Sequence, residues 1–231
     1  MTGTAETLAH LRKFDTPTIW NTLVGLRGRG IEGFTRGAPV VTHPNAPPMV
    51  GYALTAKLVS CTPSQRPAAE QQALRHAYYR YLDAGPRPGI VVIEDHGAGP
   101  GIGSFWGEVN SAIHRGFGIG GVITTGAVRD LDALDPAVPI LAGTICLSNG
   151  FAHLTEIDVP VEVFGMKVKP GDLIHADRHG AMLIPPEHLA ALPDAIAALL
   201  DREREVIGRT REPGFNAEAM IRAWEIMGAR H

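Results

Sequence analysis

Two short apolar runs separated by a helical stretch constrain the fold of this chain more than any other feature. Ile90–Ile93 and Val122–Thr125 are continuous runs of β-branched residues, a pattern typical of strands that are covered on both faces. The residues between them predict a helix from about Ser104 to His114. Such a strand–helix–strand unit closes by a right-handed crossover, which makes its two strands parallel in one sheet. The sequence therefore predicts an α/β protein, with Ile140–Ala142 as a third strand.

The remaining patterns add helices and short strands on both sides of this unit. Helices are predicted within 5–25, over 68–82, from about 193 to 209 and after Asn216, and short strands joined by tight turns are predicted over 159–185. A chain of 231 residues without an internal repeat or a low-complexity linker fits one large domain. We predict a single domain over residues 1–210, followed by a C-terminal helical extension over 211–231.

Charge and cysteine content narrow the class of partner. The 21 basic and 24 acidic residues give a net charge of -3, which offers no basic surface for nucleic acid or for an anionic membrane. The two cysteines, Cys61 and Cys146, lie outside any CxxC motif and indicate neither a disulfide framework nor a zinc ribbon. No secretory signal profile or apolar run of about 18 residues is seen. We expect a cytoplasmic protein with a small-molecule partner.

Polar residues follow two predicted strands. Arg129 and Asp130 come after the second apolar run and Gly126, at the start of a predicted helix. Gly107 also begins a predicted helix that follows a strand. Glu108 and the backbone amides in the first turn of that helix can therefore face the same crevice as Arg129 and Asp130. Arg129 and Asp130 are the primary candidates for a functional site. The alternative is a first-turn aspartate that complements the helix dipole, beside an arginine in a surface ion pair.

Two other patterns have weaker functional interpretations. Gly116, Gly118 and Gly121 match G-x-G-x-x-G but precede a strand instead of following it, so a dinucleotide site is rejected there. His175, Asp177 and His179 alternate and are a possible metal set, although turn chemistry before Gly180 is favoured. The G-x-S-x-G, Walker and H-E-x-x-H motifs are absent from the sequence.

Several segments resemble the RraA-like family, which includes class II pyruvate aldolases acting on 4-hydroxy-4-methyl-2-oxoglutarate and 4-carboxy-4-hydroxy-2-oxoadipate. The resemblance covers most of residues 15–185 and is carried by Asp15–Thr18, Trp106–Glu108, Gly121–Asp130 and Pro170–Gly180. It implies an α/β/α layered fold of the swivelling β/β/α type with a central mixed sheet. It also implies a homotrimer or a hexamer of paired trimers, with the active site between neighbouring subunits.

The resemblance implies a role for each candidate residue. Asp130 would be the direct ligand of Mg²⁺ or Mn²⁺, Glu108 would hold one of the ion's waters, and Arg129 would contact the keto oxygen of a 2-keto acid. A hard cation that keeps several waters suits such a sparse oxygen shell. The substrate carboxylate would be bound where the helix begins, by Gly107 and the amides of Val109 and Asn110.

These roles predict a metal-dependent lyase that cleaves or decarboxylates a 2-keto acid through a pyruvate enolate, as an aldolase or oxaloacetate decarboxylase does. Glu108 stands where characterised aldolases commonly carry Asp. Glu203 and Glu205 are alternatives for an acidic residue that enters the site from an adjacent subunit in some members. The alternative function is a non-catalytic RraA-like regulator that docks onto an RNA-degrading enzyme. Methyl transfer from S-adenosylmethionine is disfavoured because no suitable glycine-rich loop follows a first strand.

Overall fold

The structure is a computed structural model that describes residues 2–30, 32–99 and 101–227. Within these ranges the predicted helices are confirmed, except that a 3₁₀ turn over Leu131–Ala133 replaces the helix predicted to begin at Arg129–Asp130. A second 3₁₀ turn covers Pro186–Ala191. The last helix packs against the helix before it, and residues 228–231 of the predicted C-terminal extension lie outside the described residues. The α-helices are α1 (Thr2–Leu11), α2 (Thr16–Arg27), α3 (Ala68–Ala84), α4 (Glu108–Gly116), α5 (Leu192–Arg209) and α6 (Ala217–Met227).

The strands belong to a large mixed sheet, a three-stranded sheet and a hairpin. The strands are β1 (Val40–Val41), β2 (Met49–Val59), β3 (Gly89–Asp95), β4 (Ser104–Trp106), β5 (Ile119–Thr124), β6 (Ala127–Val128), β7 (Ile140–Ala142), β8 (Thr144–Ile145), β9 (His153–Ile157), β10 (Val161–Val163), β11 (Met166–Val168), β12 (Leu173–Asp177) and β13 (Gly180–Leu183). The large sheet has the strand order β1-β7-β5-β3-β2-β12-β13, and β9 pairs with the second half of the long strand β2.

The centre of the large sheet is parallel, as predicted. Strands β2, β3, β5 and β7 run parallel to one another, and Val91 lies opposite Val122 while Ile93 lies opposite Thr124. Antiparallel strands flank this centre on both sides, which makes the sheet mixed. The expected mixed α/β architecture is confirmed.

The three-stranded sheet was not predicted, and it corrects two sequence-based boundaries. Strands β4, β6 and β8 pair in parallel in that order. The helix predicted from Ser104 begins only at Glu108, because Ser104–Trp106 is β4 and buries the Trp106 side chain. Arg129 and Asp130 do not directly follow the strand predicted over Val122–Thr125, because that strand, β5, ends at Thr124 and the chain then adds β6 to the small sheet.

Both faces of the large sheet are covered by apolar side chains. Helix α3 and the three-stranded sheet pack on one face, where Tyr78, Leu82 and Trp106 join the buried cluster. The β10–β11 hairpin packs on the other face through Val163 and Met166. No helix of the described residues is both long enough and apolar enough to cross a membrane. This layering leaves the carboxyl ends of β4, β6 and β8 together at one edge, where the candidate site lies.

Candidate functional site

The candidate site lies where two neighbouring parallel strands end. Strand β4 delivers Gly107–Asn110 and strand β6 delivers Arg129–Asp130. The two strands pair directly, and the Arg129 amide donates to the Trp106 carbonyl at 2.9 Å. The Glu108 amide then donates to Asp130 Oδ2 at 3.2 Å. The structure therefore brings the sequence-predicted site residues together at one sheet edge.

Asp130 adopts an unusual backbone conformation. Its φ of 55° and ψ of 41° place it in the left-handed region, which aspartate tolerates better than most residues. It precedes a 3₁₀ turn instead of the α-helix that the sequence predicted, and its side chain does not cap that turn. The carboxylate faces the amino terminus of α4, where unpaired amides favour negative charge.

The ion pair between Arg129 and Asp130 is loose and solvated. Arg129 Nε lies 3.8 Å from Asp130 Oδ2, and the two side chains are 37% and 36% exposed. Such exposed pairs contribute about 0–1 kcal/mol to stability, because water competes with them. The pair is therefore not a buried structural ion pair, and both groups remain accessible to a ligand.

Gly107 leaves room for both charged side chains. A methyl group at this position would overlap Asp130 Oδ2 and lie 3.3 Å from Arg129 Cγ. The Gly107 φ of -159° is extended backbone that any residue can adopt, so this glycine is required for space alone.

The first turn of α4 presents free backbone donors. Gly107 is the N-cap residue and supplies no capping side chain. A helix leaves its first N–H groups without intrahelical acceptors, so the amides of Val109 and Asn110 can bind an anion. The Val109 side chain is 70% exposed, which keeps this turn open to solvent. The Asn110 side-chain amide donates to the Phe105 carbonyl and ties the turn to β4.

The oxygen donors at this edge fit a hard cation. Asp130 and Glu108 both carry exposed carboxylates. Oδ2, one of the two carboxylate oxygens of Asp130, accepts a hydrogen bond from the Glu108 amide. Among the residues that the structure describes, no group of three or more His, Cys, Asp or Glu is arranged to hold a metal. A cation held here would therefore take one or two protein oxygens and complete its shell with water and substrate, as Mg²⁺ commonly does.

A buried pair of polar side chains, His114 and Tyr78, holds α4 against α3. Both ring nitrogens of His114 are engaged, with Nδ1 2.6 Å from the Asn110 carbonyl and Nε2 2.8 Å from the Tyr78 hydroxyl. Since a carbonyl only accepts, Nδ1 carries the proton and the Tyr78 hydroxyl donates to Nε2. Burial lowers the pKa of His114 to about 4 and raises the pKa of Tyr78. Sequence reasoning missed this pair because its members are 36 positions apart.

His114 makes stability depend on pH. Between pH 6.5 and 4 the unfolded chain binds a proton at this residue and the folded chain does not, so stability falls as the pH falls. From pH 7 to pH 5 we expect a loss of about 2 kcal/mol in the free energy of unfolding from this residue. Urea denaturation at both pH values should show a smaller loss for His114→Gln, which cannot titrate. Equal losses in the two proteins would contradict this account of His114.

The alternating His175, Asp177 and His179 form a structural turn, as predicted. His175 is buried with Nδ1 3.0 Å from the Thr16 hydroxyl, and Asp177 accepts the amides of Thr16 at 2.9 Å and His179 at 2.8 Å. Burial raises the pKa of Asp177, but these hydrogen bonds outweigh burial and lower it overall. The His175 and Asp177 side chains are therefore occupied at the junction between β12 and α2, and the exposed His179 ring lies 3.0 Å from Asp177 Oδ1.

The two acidic residues proposed for a neighbouring site lie on α5. Glu205 accepts a hydrogen bond from Arg209 Nη2 at 3.0 Å, and Glu203 is half-buried on the same helix. Whether either enters the site of another subunit stays a prediction.

Comparison with known proteins gives a family match. A family model described as RraA-like (Aldolase/RraA) matches residues 25–183. An uncharacterized protein of Methanocaldococcus jannaschii is 30% identical over 119 residues, which are 51% of this chain and 57% of that protein. The 4-hydroxy-4-methyl-2-oxoglutarate aldolase of Thermus thermophilus is 38% identical over 73 residues, which are 29% of this chain and 43% of that protein. The chain thus spans about half the length of these two relatives.

Solved structures share the fold over nearly the whole chain. An uncharacterized protein from Pseudomonas syringae has a TM-score of 0.72 at 22% identity and covers 95% of this chain and 94% of its own. RraAS2 of Streptomyces coelicolor, described as an unusual member of the RNase ES inhibitor RraA protein family, has a TM-score of 0.66 at 21% identity, with 89% and 96% covered. At these identities the likeness concerns the fold alone.

Proposed function

Because this chain belongs to the RraA-like family, we propose that it is a divalent-metal-dependent lyase that cleaves or decarboxylates a 2-keto acid through a pyruvate enolate. The observation that carries this proposal is the meeting of Arg129–Asp130 with the start of α4 at two adjacent strand ends. This arrangement places an accessible carboxylate, a guanidinium and unpaired amides around one point. The aldolase relative from Thermus thermophilus supports the same class of reaction.

In this proposal each group meets a different part of the substrate. The amides of Val109 and Asn110 donate to the carboxylate of the 2-keto acid, and the Arg129 guanidinium donates to its keto oxygen. Asp130 would hold Mg²⁺ or Mn²⁺, and the bound ion would supply positive charge against the negative charge that develops as the carbon–carbon bond breaks. Arg129 shares that task, because its charge is fixed before the reaction begins.

The electrons and the proton are accounted for without a histidine. The bond that breaks joins the carbon next to the ketone to the following carbon, and its electron pair moves into the enolate. In decarboxylation the other fragment leaves as carbon dioxide. In aldol cleavage its hydroxyl group gives a proton to water, and the fragment leaves as a carbonyl compound. The enolate then takes a proton from water and becomes pyruvate. Glu108 is exposed at the end of the neighbouring strand, and we propose that its carboxylate orients that water.

A neighbouring subunit is proposed to cover the site. Three cavities of about 800, 530 and 390 Å³ lie on other parts of the described chain and are not lined by Gly107–Asn110 or by Arg129–Asp130. Val109 and Asp130 are exposed at the strand ends. The segments around these strand ends expose large apolar side chains, Ile102, Val109, Leu131, Ile145 and Leu147. Several exposed apolar side chains in the segments around one site favour an interface there, and we propose that they belong to the contact between subunits of a homotrimer or hexamer.

The proposal is tested by assaying pyruvate release from oxaloacetate and from branched 4-hydroxy-2-keto acids. We expect release with Mg²⁺ or Mn²⁺, its loss with a chelator and its return when the ion is restored. Absence of turnover with every keto acid, together with unchanged capture of an RNA-degrading enzyme by Arg129→Met and Asp130→Asn variants, would refute the lyase and favour the docking regulator. In that outcome the strand-end residues have no part in binding the partner.

A further inference from the structure

We propose that Ser111 is a positioning residue that joins the two halves of the candidate site. This inference rests on the proposed function. Ser111 is fully buried on α4, and its hydroxyl donates to the Glu108 carbonyl at 2.8 Å. The same oxygen accepts the Asp135 amide at 3.1 Å. One hydroxyl group therefore bonds to the segment that follows β4 and to the segment that follows β6.

A short stretch of chain connects the Asp135 amide to Asp130. The 3₁₀ turn connects the two residues, and the Ala133 amide donates to the Asp130 carbonyl at 2.9 Å within it. A left-handed aspartate keeps its conformation only when the surrounding structure holds it. The hydrogen bond from the Glu108 amide to Asp130 is exposed, so water competes with it. The buried Ser111 bridge is shielded from that competition and fixes the distance between the two segments.

Helix α4 has a separate anchor on its other side, so the role of Ser111 can be isolated. His114, one turn further along the helix, is held by Tyr78 of α3, and the Asn110 side chain is tied to Phe105 of β4. These bonds remain when Ser111 loses its hydroxyl. We therefore expect Ser111→Ala to leave α4 in place and to release the segment that carries Asp130.

The test compares Ser111→Ala with Ser60→Ala in the full chain. Ser60 is also fully buried and donates to a carboxylate, Asp95 Oδ2 at 2.5 Å, but it does not join the two halves of the site. Loss of a residue that orients a metal ligand typically weakens metal affinity about 10–100-fold. We expect Ser111→Ala to bind Mn²⁺ about tenfold more weakly in an electron paramagnetic resonance titration and to lower kcat more than it raises KM. Ser60→Ala should lose comparable thermal stability and keep wild-type Mn²⁺ affinity.

Several outcomes separate this inference from the proposed function. Ser111→Cys, which keeps a side chain of similar size with a weak donor, should recover part of the Mn²⁺ affinity, and it replaces the alanine variant if that variant does not fold. Wild-type Mn²⁺ affinity in a folded Ser111 variant would overturn the positioning role. A wild-type protein that binds Mn²⁺ and loses affinity in Ser111→Ala, yet releases no pyruvate, would refute the lyase and leave the positioning role standing. A wild-type protein that binds no Mn²⁺ would overturn both.

Discussion

Asp130→Asn is expected to abolish metal-dependent pyruvate release while leaving the fold intact. Asparagine has nearly the same shape and also tolerates the left-handed φ of 55°, so the substitution removes the negative charge without adding backbone strain. The proposed ion then loses its protein ligand. We expect kcat/KM to fall by about 10³-fold or more, which corresponds to about 4 kcal/mol of transition-state stabilisation.

The matched control for this change is Asp132→Asn. Asp132 is an exposed carboxylate in the adjoining 3₁₀ turn and has no role in the proposed site. Its substitution should leave steady-state kinetics within about twofold of wild type, because it changes the net charge equally without touching the strand ends. If both variants keep wild-type turnover, the role assigned to Asp130 is wrong.

Gly107→Ala is expected to give the second-largest loss, by a steric route. The added methyl group overlaps Asp130 Oδ2 and crowds Arg129, so both charged groups must move. Displacement of catalytic groups by about 1 Å can cost about 10²-fold in rate, and we expect a loss of that size in kcat/KM. The extended backbone of Gly107 accepts alanine, so the melting temperature should change little.

A second glycine on the same helix supplies the comparison. Gly116 ends α4, and a methyl group there would meet no atom within 4 Å. Gly116→Ala should therefore retain full pyruvate release and gain slightly in stability, since alanine favours helix. Full activity in Gly107→Ala would show that catalysis does not require the positions of Asp130 and Arg129 described above.

The parallel centre of the large sheet could be predicted because its signal is local. Ile90–Ile93 and Val122–Thr125 are β-branched runs long enough to identify, and chain handedness then fixes their relative direction. The rule that polar groups after parallel strands gather at one edge also predicts that Gly107–Asn110 and Arg129–Asp130 meet. The strands that bring them together, however, are β4 and β6 of the small sheet, which the sequence does not predict.

The three-stranded sheet could not be predicted for a physical reason. Its strands are two or three residues long, which is too short for a period to appear in the sequence. Strand β6 is held by hydrogen bonds to β4, which precedes it in the chain, and to the segment around β8, which follows it. One of these bonds runs from the Cys146 amide to the Val128 carbonyl. The Ser111 bridge likewise joins residues 24 positions apart and leaves no local pattern.

A Mn²⁺ titration of the wild-type and Asp130→Asn proteins, monitored by electron paramagnetic resonance with and without pyruvate, tests whether Asp130 holds a metal ion that also binds the substrate. We expect the wild type to bind Mn²⁺, pyruvate to tighten this binding because it donates oxygens to the same ion, and Asp130→Asn to lose the binding. Equal Mn²⁺ affinity in the two proteins would show that Asp130 is not the ligand, and binding that does not respond to pyruvate would show that the ion does not contact the substrate.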